Sequence, residues 1–166
     1  MTRRVGLALL ALTVVLDQLS KRWVVGYFGL DGVGPTPGMP VPQRVVAPFF
    51  NLILTWNRGM SFGLFNRDSP WNAAFFSVLA AVIVTVLLVW LWRTESALVA
   101  AGIGLVAGGA VGNVIDRLRL GAVTDFLDFH WQDWHFATFN LADSAITTGV
   151  ALLLLDALLN RREKPY

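Results

Sequence analysis

Two uninterrupted stretches without a charged side chain limit this chain more than any other feature. Ser69 to Trp92 is 24 residues long and Ser96 to Ile115 is 20. Wound as helices rising 1.5 Å per residue, each can cross a hydrocarbon layer about 30 Å thick, which takes ~20 apolar residues. A soluble globular enzyme does not carry two such runs back to back. The overall balance agrees: of 166 residues, 55% are hydrophobic and 14% charged, against about 25% charged in soluble domains. The length suits one membrane domain covering residues 1–166.

Cysteine is absent. That excludes a disulfide, a thiol nucleophile and a thiolate metal site, and with them the small four-helix membrane oxidoreductases that relay disulfides. Thirteen Lys and Arg stand against eleven Asp and Glu with no basic run, so nothing points to nucleic acid.

Four spans are predicted, near 5–25, 71–92, 96–116 and 140–160. The first opens after Arg3 and Arg4 and continues past Asp17-Gln18-Leu19-Ser20-Lys21 with no small-residue cleavage site, so it reads as an uncleaved helix and not a signal peptide. Only Arg93, Thr94 and Glu95 separate spans two and three, which demands a tight helical hairpin. Residues 26–70 form the first long loop. It is Gly/Pro-rich at Gly29–Pro42, then β-branched and aromatic at Arg44–Trp56, where one or two short edge strands are expected. Residues 117–139 form the second, with Phe126, Phe129, Trp131, Trp134, Phe136 and Phe139 suited to the headgroup layer. The expected architecture is an all-α membrane protein with four transmembrane helices and a small β-rich segment between helices 1 and 2.

Successive spans alternate in direction, so three polar clusters collect at one membrane face: Asp17 with Lys21, then Asn113, Asp116 and Arg117, then Asn140, Asp143 and Ser144. Gly104, Gly108 and Gly112 repeat every four residues, and one more turn puts Asp116 on their stripe; such a ladder is either a helix-packing seam or space for a ligand. In span four, Asn140, Asp143, Ser144, Thr147 and Thr148 are expected to form a polar face running inward. Carboxylates inside a membrane face the interior and carry function. Asp156, at the other face beside a basic tail, reads as a solvated or salt-bridged helix end. Asp17 and Lys21, spaced i,i+4, either support the helix or touch a substrate.

Elimination narrows the chemistry. His130 and His135 lie in the aromatic loop without HExxH or i,i+4 helical spacing, so no metal is expected. Ser61 and Ser144 lack a GxSxG setting. What remains is Asp116, Asp125 and Asp143 on one face. Two carboxylates held close in a low-dielectric site share one proton, and such a pair can activate water while protonating a leaving amine.

Five blocks carry a resemblance: Asp17-Gln18-Leu19-Ser20-Lys21, Asn57-Arg58-Gly59-Met60-Ser61-Phe62, Gly108-Gly109-Ala110-Val111-Gly112-Asn113-Val114-Ile115-Asp116-Arg117, Val123-Thr124-Asp125-Phe126, and Phe139-Asn140-Leu141-Ala142-Asp143. In this order among four spans, the chain resembles the prolipoprotein signal peptidases (signal peptidase II). Arg58-Gly59-Met60 departs from the family's more usual Thr-Gly-Ala. The resemblance implies an aspartic endopeptidase with Asp125 and Asp143 as its catalytic dyad. Asp116 is the rival for the first place, set aside because Arg117 and Arg119 would hold it ionised. It further implies supporting or substrate-binding roles for Asp17, Lys21, Asn57, Gly59, Asn113, Asp116, Arg117, Asn140 and Ala142, with Gly108 and Gly112 leaving room for backbone or lipid.

The substrate so implied is a prolipoprotein whose cysteine carries diacylglycerol, cut on the amino side of that cysteine. The enzyme would be a monomer without cofactor, in contact with membrane lipid. Charge counting does not orient it, with six cationic side chains on the face of the termini and seven on the other. The resemblance places both termini in the cytoplasm of a bacterial inner membrane and the acids toward the outer leaflet. The reading from another class is a non-enzymatic four-helix module, such as a proton-coupled carrier or an assembly subunit.

Overall fold

The computed structural model of the chain describes residues 2–36, 39–59 and 71–161. Met60, Ser61, Phe62 and Arg67 of the first loop, and Arg162 and Lys164 of the tail, lie outside the described residues. Among the described residues four helices form: α1 (Thr2–Tyr27), α2 (Trp71–Arg93), α3 (Ala97–Leu120) and α4 (Leu141–Arg161). Four strands are described with them: β1 (Gln43–Ala47), β2 (Phe50–Asn57), β3 (Val123–Trp131) and β4 (Trp134–His135).

Among the described residues, three helices are long and apolar enough to cross a membrane. Their mean hydropathies are 2.7 for Trp71–Arg93, 2.0 for Ala97–Leu120 and 1.6 for Leu141–Leu159. Helix α3 is the hub and packs along α1, α2 and α4, which meet one another only marginally. Its small residues explain the closeness. A Cβ on Gly104 would collide with the Gly6 carbonyl, and one on Gly108 would lie 2.8 Å from the Leu10 carbonyl. A Cβ on Gly109 would strike the Ala142 carbonyl of α4. Residue numbers rise together along the α1–α3 seam, so those two helices are parallel, whereas α4 runs antiparallel to α3. The glycine ladder is thus a packing seam. Of the two occupants expected there, backbone or lipid, Gly108 meets the backbone and side chains of α1, and Gly112 meets the Asp17 side chain.

Helix ends follow local chemistry. Ser96 caps α3, accepting from Val99 N–H at 3.2 Å, and its hydroxyl donates to Asp156 Oδ1 at 2.7 Å, so Asp156 also steadies the α2–α3 hairpin. The α3 helix runs four residues past Asp116 before Gly121 ends it at φ 71°, a left-handed cap suited to glycine. Arg117 is therefore helical and not part of the loop expected to begin there. Asn140 and Asp143 form a reciprocal cap on α4: Asp143 N–H donates to Asn140 Oδ1 at 3.0 Å and Asn140 N–H to Asp143 Oδ2 at 3.3 Å.

The sheet differs from expectation. Its order is β1-β2-β3-β4, all antiparallel. The β segment is thus not confined between helices 1 and 2, because half of its strands come from the aromatic segment between helices 3 and 4. Strand β3 pairs with β2 through Thr55↔Asp125, Trp56↔Thr124 and Asn57↔Val123. Its first four residues are all buried, so no alternation of polar and apolar residues announces it. Val24, Leu52, Leu54 and Phe126 form a small core under the sheet, while Trp131 and Trp134 stay exposed. Phe126 is in that core and not in an interfacial belt.

Candidate active site

The polar clusters meet where α1, α3, β3 and the start of α4 converge. Two linked networks result. In the first, Lys21 is buried and its ammonium lies 2.9 Å from Asp17 Oδ2 and 3.0 Å from Asp116 Oδ2. It also donates to Asn113 Oδ1 at 3.0 Å. Asp17 Oδ1 accepts the Ala142 N–H at 3.0 Å, which ties α1 to the α4 N-terminus. Asp116 accepts from Gln18 Nε2 at 2.9 Å and from Thr124 N–H at 3.0 Å. Asp116 is therefore held in place, and its ion-pair partner is Lys21, where Arg117 and Arg119 were expected. A Cβ on Gly112 would sit 2.5 Å from Asp17 Oδ2, so glycine there lets the carboxylate in.

The second network holds the remaining acids. Asn140, fully buried, donates to Asp125 Oδ1 at 2.7 Å and to Asn113 Oδ1 at 3.1 Å. Asn113 in turn donates to Asp143 Oδ1 at 2.9 Å. Asp125 and Asp143 are thus fastened to a single pair of side-chain amides. Asn57 Nδ2 reaches Asp125 Oδ2 at 3.3 Å, while its own carbonyl accepts Gly59 N–H at 3.0 Å. The Gly59 carbonyl accepts from Arg117 at 3.5 Å, and the guanidinium lies 5.4 Å from the Phe76 ring centroid. Arg117 thereby ties the first loop to α3 within electrostatic reach of Asp143, Asp125 and Asp116.

The two acids are not equivalent. Asp125 is 2% exposed, and its pKa is pushed up to about 7, first by burial and then by the charge of Asp143, against the pull of Asn57, Asn140 and Lys21. Asp143 is half-buried and opens on a groove of about 400 Å³ lined by Phe136, Phe139, Ser144, Thr147 and Thr148. Thr147 and Thr148 are exposed in that groove and do not run inward into the bundle, because small residues of α4 such as Gly149 take the α3-facing side.

The expected residues other than Gly108 fall in this region, with different duties. Ala142 and Gly112 pack and hydrogen-bond within the bundle, and Gly108 lies deeper in the α1–α3 seam. Sequence reading missed Gln18 and Thr124. Gln18 was visible as the neighbour of Asp17, but Thr124 acts through its backbone, which no side-chain pattern reveals. His130 and His135 stack at 5.0 Å, and His135 Nδ1 lies 2.9 Å from Asp128 Oδ1, which leaves them engaged on the sheet. The hydroxyl of Ser144 donates to the Asn140 carbonyl at 3.1 Å.

Residues 9–159 match the profile of Signal peptidase (SPase) II. The chain belongs to the signal peptidase II family. It is 43% identical over 156 residues to the lipoprotein signal peptidase of Coxiella burnetii (strain RSA 331 / Henzerling II), covering 93% of this chain and 90% of that one. Against the lipoprotein signal peptidase of Methylorubrum extorquens (strain PA1) the identity is 43%, over 93% of this chain and 86% of the other. A solved bacterial membrane enzyme superposes with a TM-score of 0.75 at 26% identity, over 97% of this chain and 93% of that one. This signal peptidase II chain is thus a peptidase and a membrane protein, and the non-enzymatic carrier or assembly subunit is set aside.

Proposed function

We propose that this enzyme removes the signal peptide from diacylglyceryl-modified prolipoproteins, cutting on the amino side of the lipidated cysteine with Asp125 and Asp143 as its dyad. The observation that carries the reading is the Asn113–Asn140 amide pair. It holds one oxygen of each acid, and the reading requires the two carboxyls to share one proton. Asp125, buried and carrying that proton near neutrality, donates to the scissile carbonyl. Asp143, already an acceptor for Asn113 and the Asn140 N–H, takes a proton from water as the oxygen attacks. The tetrahedral intermediate then collapses, with Asp143 returning the proton to the leaving amine and Asp125 recovering its own.

The groove beside Asp143 suits the peptide, with hydroxyls of Ser144, Thr147 and Thr148 to pair with its backbone. The diacylglyceryl chains stay in the bilayer, where each buried CH₂ contributes about 0.8 kcal/mol, and this sets the scissile bond at the depth of the acids. The chain acts as a monomer and as one domain, residues 1–166. All four helices span. The first is the least apolar, yet it lies parallel to α3 from Gly6 to Lys21 and turns Asp17 and Lys21 toward the bundle. Both termini are cytoplasmic and the sheet faces the outer leaflet of a bacterial inner membrane.

The test is cleavage of a lipidated prolipoprotein by the reconstituted enzyme. Asp125→Asn and Asp143→Asn each lower the rate by a factor on the order of 10²–10⁴ while the protein still inserts. If Asp116→Asn abolished cleavage and Asp125→Asn did not, the dyad would have to be reassigned.

A further inference from the structure

A second cavity, of about 450 Å³, lies at the same end of the bundle on the far side of the Lys21–Asp116 contact. It contains neither Asp125 nor Asp143. Its walls come from Val25 on α1, the turn around Gly32, Trp56 on β2 and Leu120 on α3. The volume falls within the ~300–1,000 Å³ usual for small-ligand sites.

Its charges are unevenly committed. In the floor, Lys21 is already taken up by Asp116 and by Asp17 behind it. Arg22 and Arg119 stand at the lip, both exposed, and neither is paired with an acid among the described residues. Asp31 also lines the cavity and likewise has no cation partner among the described residues. Two guanidinium forks on neighbouring helix ends match a phosphodiester, which accepts paired N–H donors.

Depth and surroundings indicate what carries the phosphate. Trp23 and Tyr27 are 62% and 49% exposed beside the lip, as interfacial aromatic rings are. Below Arg22 on α1, Leu19 and Val15 continue the same helical stripe at 55% and 52% exposure, and Leu118 beside Arg119 is 74% exposed. A cationic lip above an apolar track has the shape of a phospholipid. Asp31, facing the headgroup, calls for a hydrogen-bond donor. Glycerol hydroxyls or an ethanolamine ammonium supply one, whereas a choline head has none.

We propose that this cavity binds one membrane phospholipid, its phosphate between Arg22 and Arg119 and a donor-bearing headgroup turned toward Asp31. The test is native mass spectrometry of the purified enzyme offered dioleoyl phosphatidylglycerol, phosphatidylethanolamine, phosphatidylcholine or inorganic phosphate. One phosphatidylglycerol or phosphatidylethanolamine is retained, with phosphatidylcholine about tenfold weaker. The double variant R22Q/R119Q weakens the first two about tenfold, and the distant pair R3Q/R4Q leaves them unchanged. R22K/R119K keeps the charge, removes the fork and gives an intermediate loss, so the result does not hang on one variant's folding. Equal retention of phosphatidylcholine, indifference to R22Q/R119Q, or full competition by inorganic phosphate would overturn the proposal. The readout is binding, so it stands or falls apart from cleavage.

Discussion

A carboxyl group sealed among apolar and amide neighbours resists ionisation, and Asp125 is such a group. Its folded pKa of about 7 lies above the ordinary carboxyl value of 3.8. The folded state therefore keeps a proton that the unfolded chain has already released, and stability falls as pH rises from about 4 to about 7 before levelling off. The Asp125 contribution is on the order of 4 kcal/mol. Asp125→Asn has no proton to lose, so thermal unfolding in detergent should show a flatter decline over that interval than in the parent. A parallel decline in both proteins would contradict the burial argument. With Asp125 as the acid of the proposed dyad, kcat/KM for cleavage should fall above about pH 7, where it loses its proton. Residue types suggested Asp125, Asp143 and Asp116 as candidates, and the apolar Val123, Phe126 and Leu127 around Asp125 pointed to desolvation there. How little solvent is left around it was decided by packing.

Among the secondary-structure elements, the α1–α3 contact does most to organise the site. Close approach at Gly104 brings α1 in, and Lys21 then inserts between Asp17 and Asp116. Gly104→Ala must push the Gly6 carbonyl aside, at about 1–3 kcal/mol, measurable as a lower unfolding midpoint. Lys21→Met leaves two buried carboxylates without their cation, which costs about 3–5 kcal/mol. The combined Lys21→Met, Asp116→Asn variant should recover part of that loss, and no recovery would mean the pair is not coupled. Helix existence was plain in the apolar runs. Strand β3 was not, because Val123–Phe126 is buried on both faces and acids interrupt the pattern that a half-buried strand would show.

Considered across its full span, the protein is a three-sided arrangement about α3 with the sheet gathered at one end and the α2–α3 hairpin at the other. Thr2 Oγ1 donates to the Glu95 carbonyl at 3.4 Å, which puts the start of α1 beside that hairpin. Absence of cysteine makes topology directly testable. A single Glu95→Cys should react with a membrane-impermeant maleimide only after the inner membrane is opened, and Asp133→Cys should react from outside. The reverse pattern would invert the proposed orientation, which the near-equal charges of the two faces could not supply.

Membrane residence, the number of helices, the hairpin and the set of candidate acids were written in the chain itself, since apolar length and helical spacing are properties of consecutive residues. Three matters were decided only in three dimensions. Asp17 and Lys21 turn toward α3, β2 pairs with β3 although α2 and α3 lie between them in the chain, and the Asn113–Asn140 pair ties Asp125 to Asp143. Each depends on how distant segments align in register and on how much water they exclude, and neither quantity exists until the helices have packed.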